Sequence, residues 1–210
     1  MGSTLCATWL ALVHFAAGPY DSTHVRDALL PPTVSRPRPM GRTVDTIVLH
    51  FSSDAVTHPR DPYVLVRVLE LYLEHGVSAH YVIDRAGIVY RLVDEGRVAF
   101  HAGRGQWPGT PDRRDRLNDY SIGIELLAIG SERDMANLMT SQHYKKIAPS
   151  DIGYTDRQYE SLRRLVHDIR SRHGAIALDR KHIIGHDEYA RGRKSDPGEL
   201  FDWSRLDLSP

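Results

Sequence analysis

Apolar residues in this chain fall into short runs of two kinds, some nearly continuous and some at helical spacing. The run 44–51 holds Val44, Ile47, Val48, Leu49 and Phe51 around His50, as expected of a central strand covered on both faces. Between 63 and 74 the apolar positions Val64, Val66, Val68, Leu69, Leu71 and Tyr72 predict a helix, with Gly76 as its stop. Two β-rich runs, 79–84 and 88–93, flank the turn Arg85-Ala86-Gly87 and predict a hairpin. Strands are also expected at 98–101 and 121–127. Thr155 and Gln158 make a capping-box pair ahead of a helix whose apolar face carries Tyr159, Leu162, Val166 and Ile169, ending at Gly174. Ile183 and Ile184 form a short strand that delivers His186. Residues 128–153 read as a long, irregular, polar loop near the site. Strands interleaved with helices define the fold class as α/β, a single domain with a central mixed β-sheet flanked by helices.

The N-terminal part breaks this pattern. Residues 19–41 contain Pro19, Pro31, Pro32, Pro37 and Pro39 with little apolar periodicity, and read as a Pro-rich leader or tether laid on the domain surface. The globular domain is then expected over 42–210. The apolar stretch 5–17 is too short to span a bilayer but suits the core of a secretory signal peptide, which assigns residues 1–18 to that role. No Lys or Arg precedes the stretch and His14 interrupts it. Export to the periplasm, envelope or medium is the expectation, with a cytoplasmic location as the alternative. Cys6 is the single cysteine, which excludes an internal disulfide and a thiolate metal site.

At 210 residues the chain suits one domain. Its 27 basic residues balance 27 acidic ones, so no global field attracts nucleic acid or an anionic membrane. The arginines are scattered without aromatic interleaving, which disfavours nucleic-acid binding. Twelve histidines are more than such a chain usually carries, and imidazole is the commonest metal ligand.

The candidate chemistry gathers in 185–198, where His186, Lys194 and Asp196 lie within eleven residues and Pro197-Gly198 closes the segment. Upstream, His50 ends the most strand-like run. Two imidazoles and a carboxylate suit Zn²⁺, with a coordination position left for water. Singly, each residue has an ordinary structural reading: His50 as a core histidine with a backbone partner, Asp196 as the cap of a Pro-Gly turn, Lys194 as an exposed loop cation. Together with Glu125 they are harder to explain structurally. Glu125 sits in an otherwise apolar strand, where a carboxylate costs several kcal/mol unless it is paired, protonated or at a wet edge. A general acid/base removes that difficulty by taking a proton from the attacking water and returning it to a leaving amine. Lys194 would then face the developing oxyanion.

In four blocks the chain resembles the type 2 family of zinc-dependent N-acetylmuramoyl-L-alanine amidases, whose fold is shared with peptidoglycan recognition proteins. The blocks are 47–50, 77–84, 121–125 and 185–198, with support from His101-Ala102-Gly103 and Trp107, from 154–159, and from Phe201-Asp202-Trp203. The likeness runs from about residue 42 to 203. Position by position it implies His50, His186 and Asp196 as zinc ligands, Glu125 as the catalytic carboxylate and Lys194 as the transition-state cation. It implies that His80, His101 and Trp107 contact substrate or support the ligands from behind. Asp196 stands where phage lysozyme-type members carry cysteine, which points to the bacterial recycling and envelope branch. The implied reaction is cleavage of the amide between N-acetylmuramic acid and L-alanine, with peptidoglycan or muropeptide as partner, no nucleic acid and no stable membrane span; oligomeric state is not legible. Two segments depart from the family pattern: Phe51-Ser52-Ser53, where it shows an aromatic residue then threonine, and 128–153. A binding module that uses the same groove without catalysis is the rival reading, and such modules typically lose a metal ligand; here all three are present.

Overall fold

The computed structural model describes residues 25–108 and 113–209. Two seven-residue strands dominate it, β3 (Thr46–Ser52) and β7 (Ser121–Leu127), paired in parallel so that His50 lies beside Glu125. β8 (Ile183–Gly185) extends the sheet beyond β3, and β4 (Tyr81–Ile83) extends it beyond β7, both in parallel. The hairpin predicted around Gly87 forms between β4 and β5 (Val89–Arg91), and adds the antiparallel pair that makes the sheet mixed. With β1 (Arg26–Asp27) at the edge, the order is β1-β5-β4-β7-β3-β8. A second, two-stranded sheet joins β2 (Ser35–Pro37) to β6 (Arg97–Ala99).

Successive side chains of a strand point to opposite faces, so the apolar runs divide. Ile47 and Leu49 of β3 and Ile122, Ile124 and Leu126 of β7 share one cluster with Tyr159, Leu162, Val166 and Ile169 of α3 (Asp156–Arg172). The expected capping box holds α3 at its start: Thr155 Oγ1 accepts the Gln158 N–H, and Gln158 Oε1 accepts the Thr155 N–H. The opposite face carries Val48, His50, Gly123, Glu125 and Leu127. Its flanks are covered by α1 (Leu65–His75), which buries Val68, Leu69 and Tyr72, and by the short α4 (His186–Tyr189) with Tyr189. Gly76 ends α1 in the left-handed region at φ 63°, a conformation cheap only for glycine.

Two parts differ from the sequence expectation. Residues 25–37 belong to the packed structure: β1 joins the main sheet, and Ala28, Leu30 and Val34 are buried against α1 and β5. The prolines conceal this because they remove periodicity without removing the apolar residues between them. Residues 128–153 are likewise more than a loop. Ile129, Met135, Tyr144 and Ile147 build a small core of their own with Ala55, and α2 (Ser141–Tyr144) sits within it. Each element there is too short to leave a periodic trace. Residues 1–18 lie outside the described residues. Among the described residues no helix is long and apolar enough to cross a membrane.

Candidate metal centre

β3 carries His50 to the polar face, and β8 delivers His186 at the first position of α4. The chain then turns back through Lys194 so that Asp196 meets both histidines. The Asp187 N–H bonds the Asp196 carbonyl at 2.8 Å and closes that turn. Three ligand atoms converge: His50 Nδ1 is 3.0 Å from His186 Nδ1, and Asp196 Oδ2 is 2.7 Å from the first and 2.9 Å from the second. All three residues are buried.

The hydrogen bonds behind them fix which ring nitrogens are free. Ser121 Oγ gives its one proton to the Leu117 carbonyl at 2.7 Å, so it accepts from His101 Nε2 at 3.2 Å. His101 Nδ1 is then an acceptor, and His50 Nε2–H donates to it at 3.1 Å. His186 Nε2–H donates to the Ala102 carbonyl at 2.8 Å. Both Nδ1 atoms are therefore left as lone pairs facing Asp196, the arrangement a divalent ion needs from imidazole. Burial, reinforced by the neighbouring His186, lowers the His50 pKa to about 4, and burial with His50 and His80 nearby lowers that of His101 well below its usual value. Burial pushes the Asp196 carboxyl up, but the imidazoles of His186 and His50 packed against it outweigh burial and hold it far below the usual range. Neutral imidazoles and an ionised carboxylate are the donor set that zinc takes.

Glu125 stands beside His50. Its side chain keeps some exposure on the cleft side, yet Oε2 is shielded and has no hydrogen-bond partner. Burial, then the Asp196 charge, raise its pKa to about 8, while Lys194 and a hydrogen bond from Ser52 pull the other way. An unpartnered buried carboxylate oxygen beside three convergent donor atoms fits a site for a polar or metal-bound group. Lys194 is exposed, its backbone N–H bonded to the Ala190 carbonyl, and its charge bears on both Glu125 and His50.

The remaining expected residues take other places. His80 is fully buried, accepts the Gly123 N–H at Nδ1 and donates from Nε2 to the Arg97 carbonyl, so it braces β7 and lies edge-on to the ring of His101. Trp107 is half-buried against the cluster of Val48, Leu117, Ile184 and Tyr189. Sequence reasoning missed Ser121, the Ala102 carbonyl and Gly123. A Cβ on Gly123 would stand 2.5 Å from the His101 ring, so only glycine admits that ring. An isolated glycine inside an apolar strand is the signal that could have found it.

A pocket of two imidazoles and a carboxylate, with an ionisable carboxyl and a lysine beside it, defines a metal-dependent hydrolase type of site. The N-acetylmuramoyl-L-alanine amidase family matches residues 40–199, and the chain belongs to that family of amide hydrolases. It is 30% identical over 180 residues to the 1,6-anhydro-N-acetylmuramyl-L-alanine amidase AmpD of Haemophilus influenzae, covering 80% of this chain and 83% of that one. The crystal structure of a selenomethionine AmpD derivative superposes with a TM-score of 0.63 at 27% identity, covering 88% of this chain and 93% of that one. The amidase AmiD from Escherichia coli, solved with the substrate anhydro-N-acetylmuramic acid-L-Ala-D-gamma-Glu-L-Lys, gives 0.57 at 26% identity, covering 81% of this chain and 60% of that one.

Proposed function

We propose that this amidase is a zinc enzyme with His50, His186 and Asp196 as the ligands, Glu125 as general acid/base and Lys194 as the oxyanion's cation. The observation that carries the proposal is the convergence of His50 Nδ1, His186 Nδ1 and Asp196 Oδ2 beside the unpartnered Oε2 of Glu125. When bound, zinc supplies a Lewis acid that acidifies water and polarises the amide carbonyl. Glu125, with its pKa raised to about 8 by burial and Asp196, is poised to exchange a proton close to neutral pH, and the charges of a cation and Lys194 favour its ionised form. It takes the proton of the attacking water and returns it to the nitrogen of L-alanine, which leaves as an amine. Lys194 offers its ammonium to the oxygen that gains charge. His101 and the Ala102 carbonyl hold the two imidazoles in the ligating tautomer throughout.

The substrate class is soluble 1,6-anhydro-muropeptide, a reading supported by the names of the relatives. Residues 5–17 support export. The test is zinc content and muropeptide hydrolysis of wild type, Glu125→Ala and His186→Ala. Glu125→Ala is expected to keep zinc and lose activity, and His186→Ala to lose both; full activity in either variant rejects the assignment. Peptide release from soluble anhydro-muropeptides against whole sacculi decides the substrate class, and the N-terminal sequence of protein recovered from fractionated cells decides export.

A further inference from the structure

The segment 128–153, which departs from the family pattern, lies against the turn that carries Lys194 and Asp196. Asp134 makes the contact with both its backbone and its side chain. Its carbonyl accepts the Ser195 Oγ–H at 2.7 Å, and its Oδ2 accepts the Glu199 N–H at 3.3 Å. Just past the segment, the Tyr154 hydroxyl donates to the Pro197 carbonyl at 2.6 Å. The two parts fit closely: a Cβ on Gly198 would stand 2.5 Å from Asp134 Oδ2, at a φ of 78° that already favours glycine. Ser195 sits between Lys194 and Asp196, so one hydroxyl restrains both neighbours.

Asp134 is itself anchored. Its Oδ2 accepts from the N–H and the Oγ–H of Ser131 at 3.0 Å each, and Ser131 Oγ accepts the Asp134 N–H at 3.2 Å in return. The Met135 N–H bonds the Ser131 carbonyl at 3.0 Å, and the Met135 side chain enters the small core with Ile129, Tyr144 and Ile147. The Tyr144 hydroxyl donates to the Gly130 carbonyl at 2.9 Å. The two ends of the segment are joined where the Gly153 N–H meets the Ile129 carbonyl at 2.8 Å. A small core closed at both ends gives Asp134 a fixed position, which an unpacked loop would not.

We infer that the 128–153 segment is a brace for the metal centre, with Asp134 and Ser195 as positioning residues that hold Asp196 and Lys194 in their working places. The inference rests on the zinc amidase reading. α4 secures one side of the turn through the Asp187 N–H on the Asp196 carbonyl. The brace secures the other side at Ser195 and Glu199. A turn that is ordered before the cation arrives loses less chain entropy on binding, and so gives a tighter site. The same restraint keeps the Lys194 ammonium where its charge bears on Glu125, and catalytic groups tolerate little displacement.

The experiment compares wild type with Ser195→Ala, Asp134→Ala, Asp134→Asn and the Asp134→Ala/Ser195→Ala double variant. Zinc Kd is measured on the apoprotein by competition with a chromophoric chelator. Turnover is measured at saturating zinc on 1,6-anhydro-N-acetylmuramyl-L-Ala-D-γ-Glu-L-Lys. Each single alanine variant is expected to weaken zinc binding by about 10-fold. It should also lower kcat by about 10-fold with KM within about twofold, the pattern of a displaced catalytic group and not of a lost substrate contact. Asp134→Asn keeps an acceptor oxygen in place and should stay within about twofold of wild type in both. The double variant should stay within about twofold of the weaker single variant, because both substitutions release the same brace. Wild-type zinc Kd and kcat in Ser195→Ala, which deletes one hydroxyl and leaves the small core intact, overturn the brace and leave the amidase reading standing. Losses that multiply in the double variant do the same. A wild type that binds zinc and cuts no muropeptide overturns the amidase reading, and the changes in zinc Kd still decide the brace.

Discussion

Ile47, Leu49, Ile122 and Ile124 face α3 from the same two strands that turn Val48, His50, Gly123 and Glu125 toward the metal pocket. The first face is closed by packing: its residues are fully buried, and each large aliphatic side chain contributes about 1.5–3 kcal/mol by leaving water. The second face spends that stability. It buries three histidines, an aspartate and a glutamate oxygen with no partner, an arrangement that costs free energy on its own and that a bound cation would offset. Strand pairing forces the two to share one backbone. Chemistry is thus confined to alternate residues, and the intervening ones secure their positions.

The largest test of this division is Glu125→Gln. Activity should fall by about 10²- to 10⁴-fold, while the melting temperature stays level or rises, because the amide removes a shielded, unpartnered carboxylate. A fall in stability that tracks the fall in activity would break the separation of the faces. Ile124→Ala is the mirror experiment on the neighbouring residue. It should cost about 2–5 kcal/mol through a cavity against α3, lowering the melting temperature by roughly 5–15 °C. The surviving folded enzyme should keep its kcat within about threefold.

Gly123→Ala probes the point where one face serves the other. The added methyl would meet the His101 ring, and displacing His101 frees the His50 tautomer. Zinc affinity should fall by about 10- to 100-fold, measured by competition with a chromophoric chelator. Unchanged affinity would show that His101 does not hold His50.

Much of this was legible in the residues themselves. The strand at 46–52, the hairpin and the helix after Thr155 follow from patterns of apolar spacing, and the resemblance to the amidase family picked out the three residues that the fold brings together, His50, His186 and Asp196. What stayed hidden shares a physical cause: contacts distant in sequence that leave no local period. Arg38, inside the expected tether, donates to the carbonyls of Asn118, Asp119, Glu95 and Arg97, and so clamps the approach to β7. Ser121 looked like the polar start of a strand, and only its bond to His101 reveals what it does. The 104–108 segment meets 189–193 only across the fold, through the Gln106 N–H on the Tyr189 carbonyl.

Glu95 gives the smallest and most specific test, at the rim of the apolar face far from the metal. Its carboxylate accepts from Tyr81 of β4, from Arg172 at the end of α3, and from His173. Burial pushes its pKa up, but these three donors outweigh burial and bring it from an ordinary 4.5 to about 2. Folding therefore favours the ionised form. The stabilisation is complete above about pH 5 and is lost as pH falls toward 2. Arg172 is nearly half exposed, so solvent screening limits the contribution to about 1–2 kcal/mol. Glu95→Gln should be less stable than wild type by that amount at pH 7, with the gap closing between pH 4.5 and 2 in urea unfolding and zinc content unchanged at pH 7. A gap that persists undiminished at pH 2 would mean that the residue acts through packing, and a loss of zinc at pH 7 would mean that the rim of the apolar face is coupled to the metal after all.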